Sequence, residues 1–280
     1  MNSQYGTLYV VATPIGNLED ISGRAIQTLK SVGRVLAEDT RRTQQLFSHF
    51  GIRNQLVSLH DHNERQRVEN IEQWLSDGED LALVSDAGTP LISDPGYHVV
   101  STLREKGFNI VPIPGASALI AALSVAGLPT DRFCFEGFLP AKPSGRRKKI
   151  ASLKSEARTW VFYESSHRIQ QCIDDLVSEL GDERKVVIAR ELTKRFETVI
   201  SGPLVEIVSI LANDSNQLRG EFVVMVEGRA QEESTQQVSG EQLLSLLVPH
   251  LPTKLAAQIT SEVTGENKKA LYQQALEMKR

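Results

Sequence analysis

Short runs of Val, Ile and Leu alternate along this chain with segments whose apolar residues return every three to four positions. That alternation constrains the fold more than any other feature, because strands joined by helices lie parallel in one sheet, with helices covering both faces. In the first half, TLYVVAT, RVLAED, NQLVSLH, LALVSD and FNIVPI read as strands. Between them, GRAIQTLKSVG, TRRTQQLFSHFG, NERQRVENIEQWLSDG and a segment starting at Pro95 read as helices. Asn63 is placed as the N-cap of the third helix. Asp94 and Pro95 are placed as the cap and first position of the fourth, since a short acceptor followed by Pro commonly opens a helix.

The second half begins with ASALIAALSVAG, read as a buried helix of small residues. The apolar stretch around it is too short to cross a bilayer, which takes about 20 residues, and Pro114 and Gly115 interrupt it. FCFEGF, RTWVFYES, KVVIARE, FETVIS and EFVVMVEG are strands, and the crowding of the last three predicts a mixed sheet. Residues 230–240 are polar without an apolar period and read as a linker, followed by three short helix candidates. The expected organisation is an α/β domain over 1–117, a second over 118–229, the linker 230–240, and a helical module over 241–280.

A net charge of −4 excludes the broad cationic field that draws nucleic acid to strongly basic domains. A polyanion must therefore meet local clusters: Arg41 and Arg42, the run Arg146, Arg147, Lys148 and Lys149, the pair Lys194 and Arg195, and the tail lysines Lys254, Lys268 and Lys269. Runs of this kind also form ordinary solvated helix faces. GRRKK directly after FLPAKPSG reads as a flexible positive lip suited to phosphates. Cys134 and Cys172 lack the spacing of a zinc site or a disulfide framework. With no signal-peptide pattern at the N-terminus, a reducing, cytoplasmic home is expected. HDHNE, from His60 to Glu64, is a polar strand-to-helix turn, since alternate residues at a strand end face opposite ways and no third distant ligand is evident; no metal is expected.

Three Gly/Pro loops follow strands of the first half: Thr13 to Asp20, Ser85 to Gly96, and Ile113 to Ala118. In an open α/β sheet such loops share the ligand-binding edge, and the three are expected to converge. Neither GxGxxG nor GxxxxGK[ST] is present, which weakens a dinucleotide or ATP reading. The middle loop offers Asp86, then Ala87, Gly88 and Thr89: an acceptor, close backbone approach and a hydroxyl, suited to a neutral or cationic ligand.

VATPIGNLEDIS, AEDTRRT, SDAGTPLISDPG, PIPGASA, FEGFLP, FYESSHR, ARELTK and GEFVVMVEG occur in that order across residues 7–228. The set resembles the tetrapyrrole methylase superfamily, and within it the branch that methylates the ribose 2′-hydroxyl of a cytidine in the decoding region of 16S ribosomal RNA. The resemblance implies S-adenosylmethionine in a cleft between two α/β domains, a small C-terminal helical module, and a homodimer acting on the small ribosomal subunit. It assigns Pro14, Asp86, Ala87, Gly88, Thr89, Ser117, Ala118, Phe162 and Ala189 to the cofactor, although relatives carry Gly-Asp-Pro where this chain reads Ser-Asp-Ala-Gly-Thr-Pro. A sulfonium zwitterion without phosphate needs acceptors and not a phosphate cradle, which fits the missing fingerprints.

For the proton of the hydroxyl, Asp39 and Glu191 are the candidate acceptors; each equally suits a structural ion pair with a neighbouring Arg. Arg41, Arg42, Arg146, Arg147, Lys148, Lys149, Lys194, Arg195 and the C-terminal helices are the candidate RNA contacts, and the acidic balance favours an assembled subunit over free RNA. Two other readings stay open: methylation of a porphyrin or corrin carbon, and a non-catalytic ribosome-assembly factor.

Overall fold

The computed structural model describes residues 5–229 and 239–279. Most of the expected linker, residues 230–238, lies outside the described residues. The chain divides into two compact units, Met1–Arg229 and Ala230–Arg280.

Within the larger unit, β1 (Thr7–Val11), β2 (Arg34–Ala37), β3 (Gln55–Ser58), β4 (Leu81–Val84) and β5 (Asn109–Ile113) form a sheet in the order β3-β2-β4-β1-β5. All its pairings are parallel. The central strand β4 is LALV, buried throughout. Its Leu81 and Leu83 pack with Ile71, Leu75, Val99 and Leu103 of α3 (Glu64–Ser76) and α4 (Tyr97–Glu105). Its Ala82 and Val84 pack on the other face with Ala25, Leu29 and Phe47 of α1 (Gly23–Ser31) and α2 (Thr40–Phe50). The two-residue period of a strand thus feeds two apolar layers. β1 leads into α1 on one face and its neighbour β4 leads into α4 on the other.

The second sheet runs β6 (Phe133–Phe138), β7 (Thr159–Ser165), β10 (Glu221–Val226), β8 (Lys185–Arg190), β9 (Thr198–Pro203). It is mixed as expected: β6 and β7 are parallel and the other pairs antiparallel. One face carries Trp160, Phe162, Ile188 and Val224 against α6 (Pro143–Ser152), α7 (Ile169–Leu180) and α8 (Leu204–Asn213). The other carries Val161, Val187, Ala189 and Val223 against α5 (Ala118–Val125). The expected boundary at 117/118 falls at the start of α5, between the sheets, which share one compact unit.

Three local expectations change. Helix α4 starts at Tyr97 behind Gly96, whose φ of 119° turns the chain, so Asp94 does not cap it. Glu64 receives the Gly96 N–H instead, at 2.8 Å. GRRKK is not a flexible lip but lies inside α6, which Pro143 opens. Helix α5 buries Leu119, Ala122 and Leu123 but leaves Ile120 and Val125 more than half exposed.

The smaller unit contains α9 (Gly240–Leu247), α10 (Thr253–Thr264) and α11 (Lys268–Met278), packed through Leu244, Val248, Ala256, Ala257, Leu271 and Ala275. Asn267 caps α11 with its side-chain oxygen, and Gly265, left-handed at φ 73°, ends α10.

Both cysteines are free, and burial pushes the Cys172 thiol up to about 12. Since the thiolate is the reactive form, Cys172 is expected to stay silent toward an aromatic disulfide reagent at pH 8 in the native protein and to react fully in denaturant. Rapid native labelling of Cys172 would show that α7 does not hold it against the sheet.

Candidate functional site

Hydrogen bonds tie together the three loops at the carboxyl edge of the first sheet. Thr13 and Gly88 exchange backbone bonds in both directions, at 2.9 and 3.0 Å, and the Thr13 hydroxyl donates to the Ser85 carbonyl at 3.2 Å. The Thr89 hydroxyl donates to the Ala116 carbonyl at 3.1 Å, joining the middle loop to the third. Gly88 is left-handed at φ 82°, and a Cβ on it would stand 3.3 Å from Ile15 Cγ2. A side chain at this junction would strain the left-handed backbone and press on Ile15 of the first loop.

Above them lies a cavity of about 330 Å³, closed on its far side by the second sheet. That volume falls within the range of small-molecule sites, roughly 300–1,000 Å³. Ala87, Gly88, Thr89, Ser117, Ala118 and Ala189 line it, so six of the nine residues assigned to the cofactor come together.

The other three do not line it. Pro14 gives way to Ile15. Asp86 turns to the edge of α2, where its carboxylate accepts the Asp39 N–H at 3.0 Å and pairs with Arg42 at 3.2 Å. Phe162 is fully buried on the opposite face of the sheet, stacked with Trp160. Strand parity decides this: residues of β7 in step with Trp160 enter the helix-covered core, while Tyr163 faces the cavity.

The candidate proton acceptors are both committed elsewhere. Asp39 caps α2, accepting the Arg41 N–H at 2.9 Å and the Arg41 guanidinium at 2.7 Å. Those bonds hold its carboxyl down to about 2, so it is a weak base. Glu191, left-handed at φ 51°, accepts from Lys194 at 2.9 Å and from the Glu221 N–H at 3.0 Å. Burial works against its charge, but those partners outweigh burial and hold it below the usual range. Ion pairing is what the geometry gives for both.

Asp94, read from sequence as a helix cap, lines the cavity instead. Burial, only partly offset by the Ser85 hydroxyl and reinforced by Glu38, Asp86 and Asp61 nearby, pushes its carboxyl up to about 6. Burial likewise raises Glu38 above its ordinary value. Gly96 directly after Pro95 was the available sequence signal, since Gly favours a turned backbone over a first helical turn. Nothing in the sequence singled out Ile15, Tyr163 or Glu221.

The basic candidates divide sharply. Arg146 is 1% exposed, and its Nε donates to Asp175 at 2.7 Å, so it braces α6 against α7 and is unavailable to RNA. Arg147 shares Asp175 at 2.9 Å, and Lys149 pairs with Glu136 at 2.6 Å. Lys194 lines the cavity between Glu191 and Glu221. The Arg195 guanidinium lies over the Phe196 ring, 5.5 Å from its centroid. Arg41 and Arg42 are both open despite their pairing, 87% and 67% exposed. Lys148 is exposed and has no ion pair among the described residues. No group of His, Cys, Asp and Glu among the described residues is arranged to hold a metal ion.

A family model described as Tetrapyrrole (Corrin/Porphyrin) Methylases matches residues 7–208, and one described as RsmI C-terminal HTH domain matches residues 234–279. Curated proteins named ribosomal RNA small subunit methyltransferase I are similar to almost the whole chain. That of Xylella fastidiosa (strain Temecula1) is 54% identical over 95% of this chain and 98% of its own length. That of Escherichia coli O157:H7 is 51% identical over 99% of this chain and 96% of its own. Among solved structures, the cobalamin biosynthetic enzyme cobalt precorrin-4 methyltransferase superposes with a TM-score of 0.59 at 16% identity, covering 79% of this chain and 94% of its own. Diphthine synthase gives a TM-score of 0.59 at 18% identity, covering 79% and 90%. At such identities these two establish a shared fold.

Proposed function

The chain belongs to the tetrapyrrole methylase family, and from that premise we propose that it methylates the ribose 2′-hydroxyl of a cytidine in the decoding region of 16S ribosomal RNA. It is an S-adenosylmethionine-dependent methyltransferase. One observation carries the ribosomal reading: identity of about half to small-subunit methyltransferases runs through 99% of the chain, the helical tail included. Methylation of a porphyrin or corrin carbon gives that tail no task, and an assembly factor without catalysis gives the cavity none.

The lining suits the cofactor. Hydroxyls of Thr89, Ser93, Ser117 and Ser165 and carboxylates of Asp94, Glu164 and Glu221 offer acceptors to a cationic, amino-bearing molecule, and Lys194 offers one positive charge to its carboxylate. When bound, the cofactor supplies an electrophilic methyl group on a sulfonium. Ala87 to Thr89, Ser117, Ala118 and Ala189 would hold it. Ile15, Leu192 and Phe138 close apolar walls around the reacting groups and exclude water. Asp86 acts at one remove, fixing the start of α2 and Arg42 at the rim. Positioning is the main task, because an aligned pair of reactants held about 3–3.5 Å apart gains most of what a displacement needs.

Incubation with small subunits lacking the modification and with methyl-labelled cofactor is expected to place label in ribose. Absence of ribose label would reject the reading. Assembled subunits are expected to outperform naked RNA, since separated cations such as Arg41, Arg42 and Lys148 need a shaped partner to be engaged together. Lys148→Ala is expected to weaken subunit binding several-fold and to lower the salt-dependence slope by about 1, with the melting temperature unchanged. An unchanged slope would remove Lys148 from the interface.

The same reading includes a homodimer working in the cytoplasm. Exposed Ile120 and Val125 on α5 support the dimer, being apolar surface that a second copy would cover. Sedimentation is expected to give twice the chain mass. No described helix is long and apolar enough to cross a membrane.

A further inference from the structure

Two of the large apolar side chains that line the cavity are also exposed, Phe138 at 55% and Ile92 at 41%. The others, such as Ile15, Leu192 and Val223, are partly or fully covered. Phe138 and Ile92 share one stretch of rim. Ser93 Oγ, next to Ile92, stands 3.4 Å from where a Cβ on Gly137, next to Phe138, would lie.

A break in strand parity brings Phe138 to that rim. Along β6, Cys134 packs toward the helix-covered core and Glu136 pairs with Lys149 of α6, while Phe135 faces the other way, against Tyr163. Strict alternation would send Phe138 after Glu136, toward α6. Instead Phe135 stands opposite Val161 and Phe138 opposite Tyr163, so three steps along β6 match two along β7. Gly137, left-handed at φ 62°, absorbs the extra residue, and Phe138 emerges edge-on to Tyr163, with ring centroids 5.7 Å apart. The backbone beyond it is fixed, because Leu139 is buried in the core and its carbonyl accepts from Arg168 at 3.2 Å. Ile92 stands between Leu91 and Ser93, left-handed at φ 72° and 67°. Neither is a glycine, so the loop that presents Ile92 holds a disfavoured backbone twice.

Resting on the ribose reading above, we propose that Phe138 and Ile92 form the surface on which the base of the target nucleotide stacks once it has left the RNA. Covalent linkage limits where that base can be. A ribose whose 2′-oxygen meets the cofactor inside the cavity carries its base one glycosidic bond away, so the base lies against the lining or the mouth. A base drawn out of RNA loses its neighbours on both faces, and apolar or aromatic protein surface has to replace them. Phe138 supplies a flat ring and Ile92 apolar bulk, both open to an incoming group. The six lining residues assigned to the cofactor lie elsewhere, in the loops of the first sheet and at Ala189 on β8. β8 is three strand spacings from β6, or about 14 Å. Stacking of this kind accepts any flat base, so Phe138 contributes to capture and orientation and not to the choice of cytosine.

The test compares full-length wild type with Phe138→Leu, Phe138→Tyr and Ile92→Ala in single-turnover ribose labelling of unmethylated small subunits. Each protein is assayed at a concentration of S-adenosylmethionine that saturates it, so that a change in cofactor affinity does not enter the comparison. Leu keeps an apolar wall and removes the flat face, whereas Tyr keeps both. The measure is the rate constant divided by the half-saturating subunit concentration. It is expected to fall about tenfold or more with Leu, to stay within about threefold with Tyr, and to fall several-fold with Ile92→Ala.

A Leu variant within threefold of wild type overturns the proposal, because a ring that only closed the cavity or served the cofactor would give that result. A Tyr variant as slow as the Leu variant overturns it as well, since shape and not a flat face would then decide the rate. An unchanged Ile92→Ala variant overturns the paired surface. Absence of ribose label from wild type overturns the parent reading and this proposal with it. Ribose label from wild type and the Leu variant at equal efficiency overturns the proposal alone.

Discussion

Arg146→Ala is expected to destabilise the protein by about 3 kcal/mol, a loss read from the urea midpoint and out of proportion to any effect on RNA affinity. Its guanidinium is 1% exposed, reaches Asp175 at 2.7 Å and donates to the Ala141 carbonyl at 3.4 Å. Removing one member of a buried pair strands the other charge, which typically costs about 3–5 kcal/mol. The lower end applies because Arg147 still holds Asp175 at 2.9 Å. Arg147→Ala, which removes a half-exposed partner, is expected to cost less than about 1 kcal/mol. If Arg146→Ala instead left the midpoint in place and abolished subunit binding, the α6 basic run would be an RNA grip throughout.

Gly88→Val is expected to weaken S-adenosylmethionine binding at least tenfold by calorimetry. Gly88 combines a φ of 82° with an inner side facing Ile15 Cγ2 at 3.3 Å. A β-branched residue there pays about 1–2 kcal/mol for the backbone alone and pushes on the first loop as well. Relief of that strain breaks the two-way bond between Thr13 and Gly88, so the first and middle loops separate. Gly51 is the control, since it is left-handed at φ 60° with nothing within 4 Å of an added Cβ. Gly51→Ala should lower stability by about 1 kcal/mol and leave cofactor affinity alone. Equal affinity in the Gly88 variant would mean that the loop junction does not shape the site.

Legibility differed by level. The elements were readable because local pattern and tertiary demand agree: β4 is apolar at every position and is buried on both faces, and Gly51 ends α2 in the left-handed geometry that Gly allows. The convergence of the three loops was also readable, since parallel strands must place their following loops on one edge. Individual side chains were harder. Phe162 and Tyr163 are adjacent aromatic residues in one strand, and only sheet packing tells which enters the core. Arg146 and Lys148 belong to one basic run, yet a single turn of α6 buries the first and exposes the other.

LALVSDAGTPLISDPG holds both outcomes in sixteen letters. The sequence by itself determined the strand, the small-residue loop after it and the absence of a phosphate cradle, because these follow from local period and residue chemistry. Only the tertiary structure decided the roles of its two acids. Asp86 is drawn to Arg42 and the start of α2, while Asp94 is carried into the cavity by a left-handed loop, with no ion-pair partner among the described residues. Partner and burial set what a carboxylate does, and both come from residues distant in the chain.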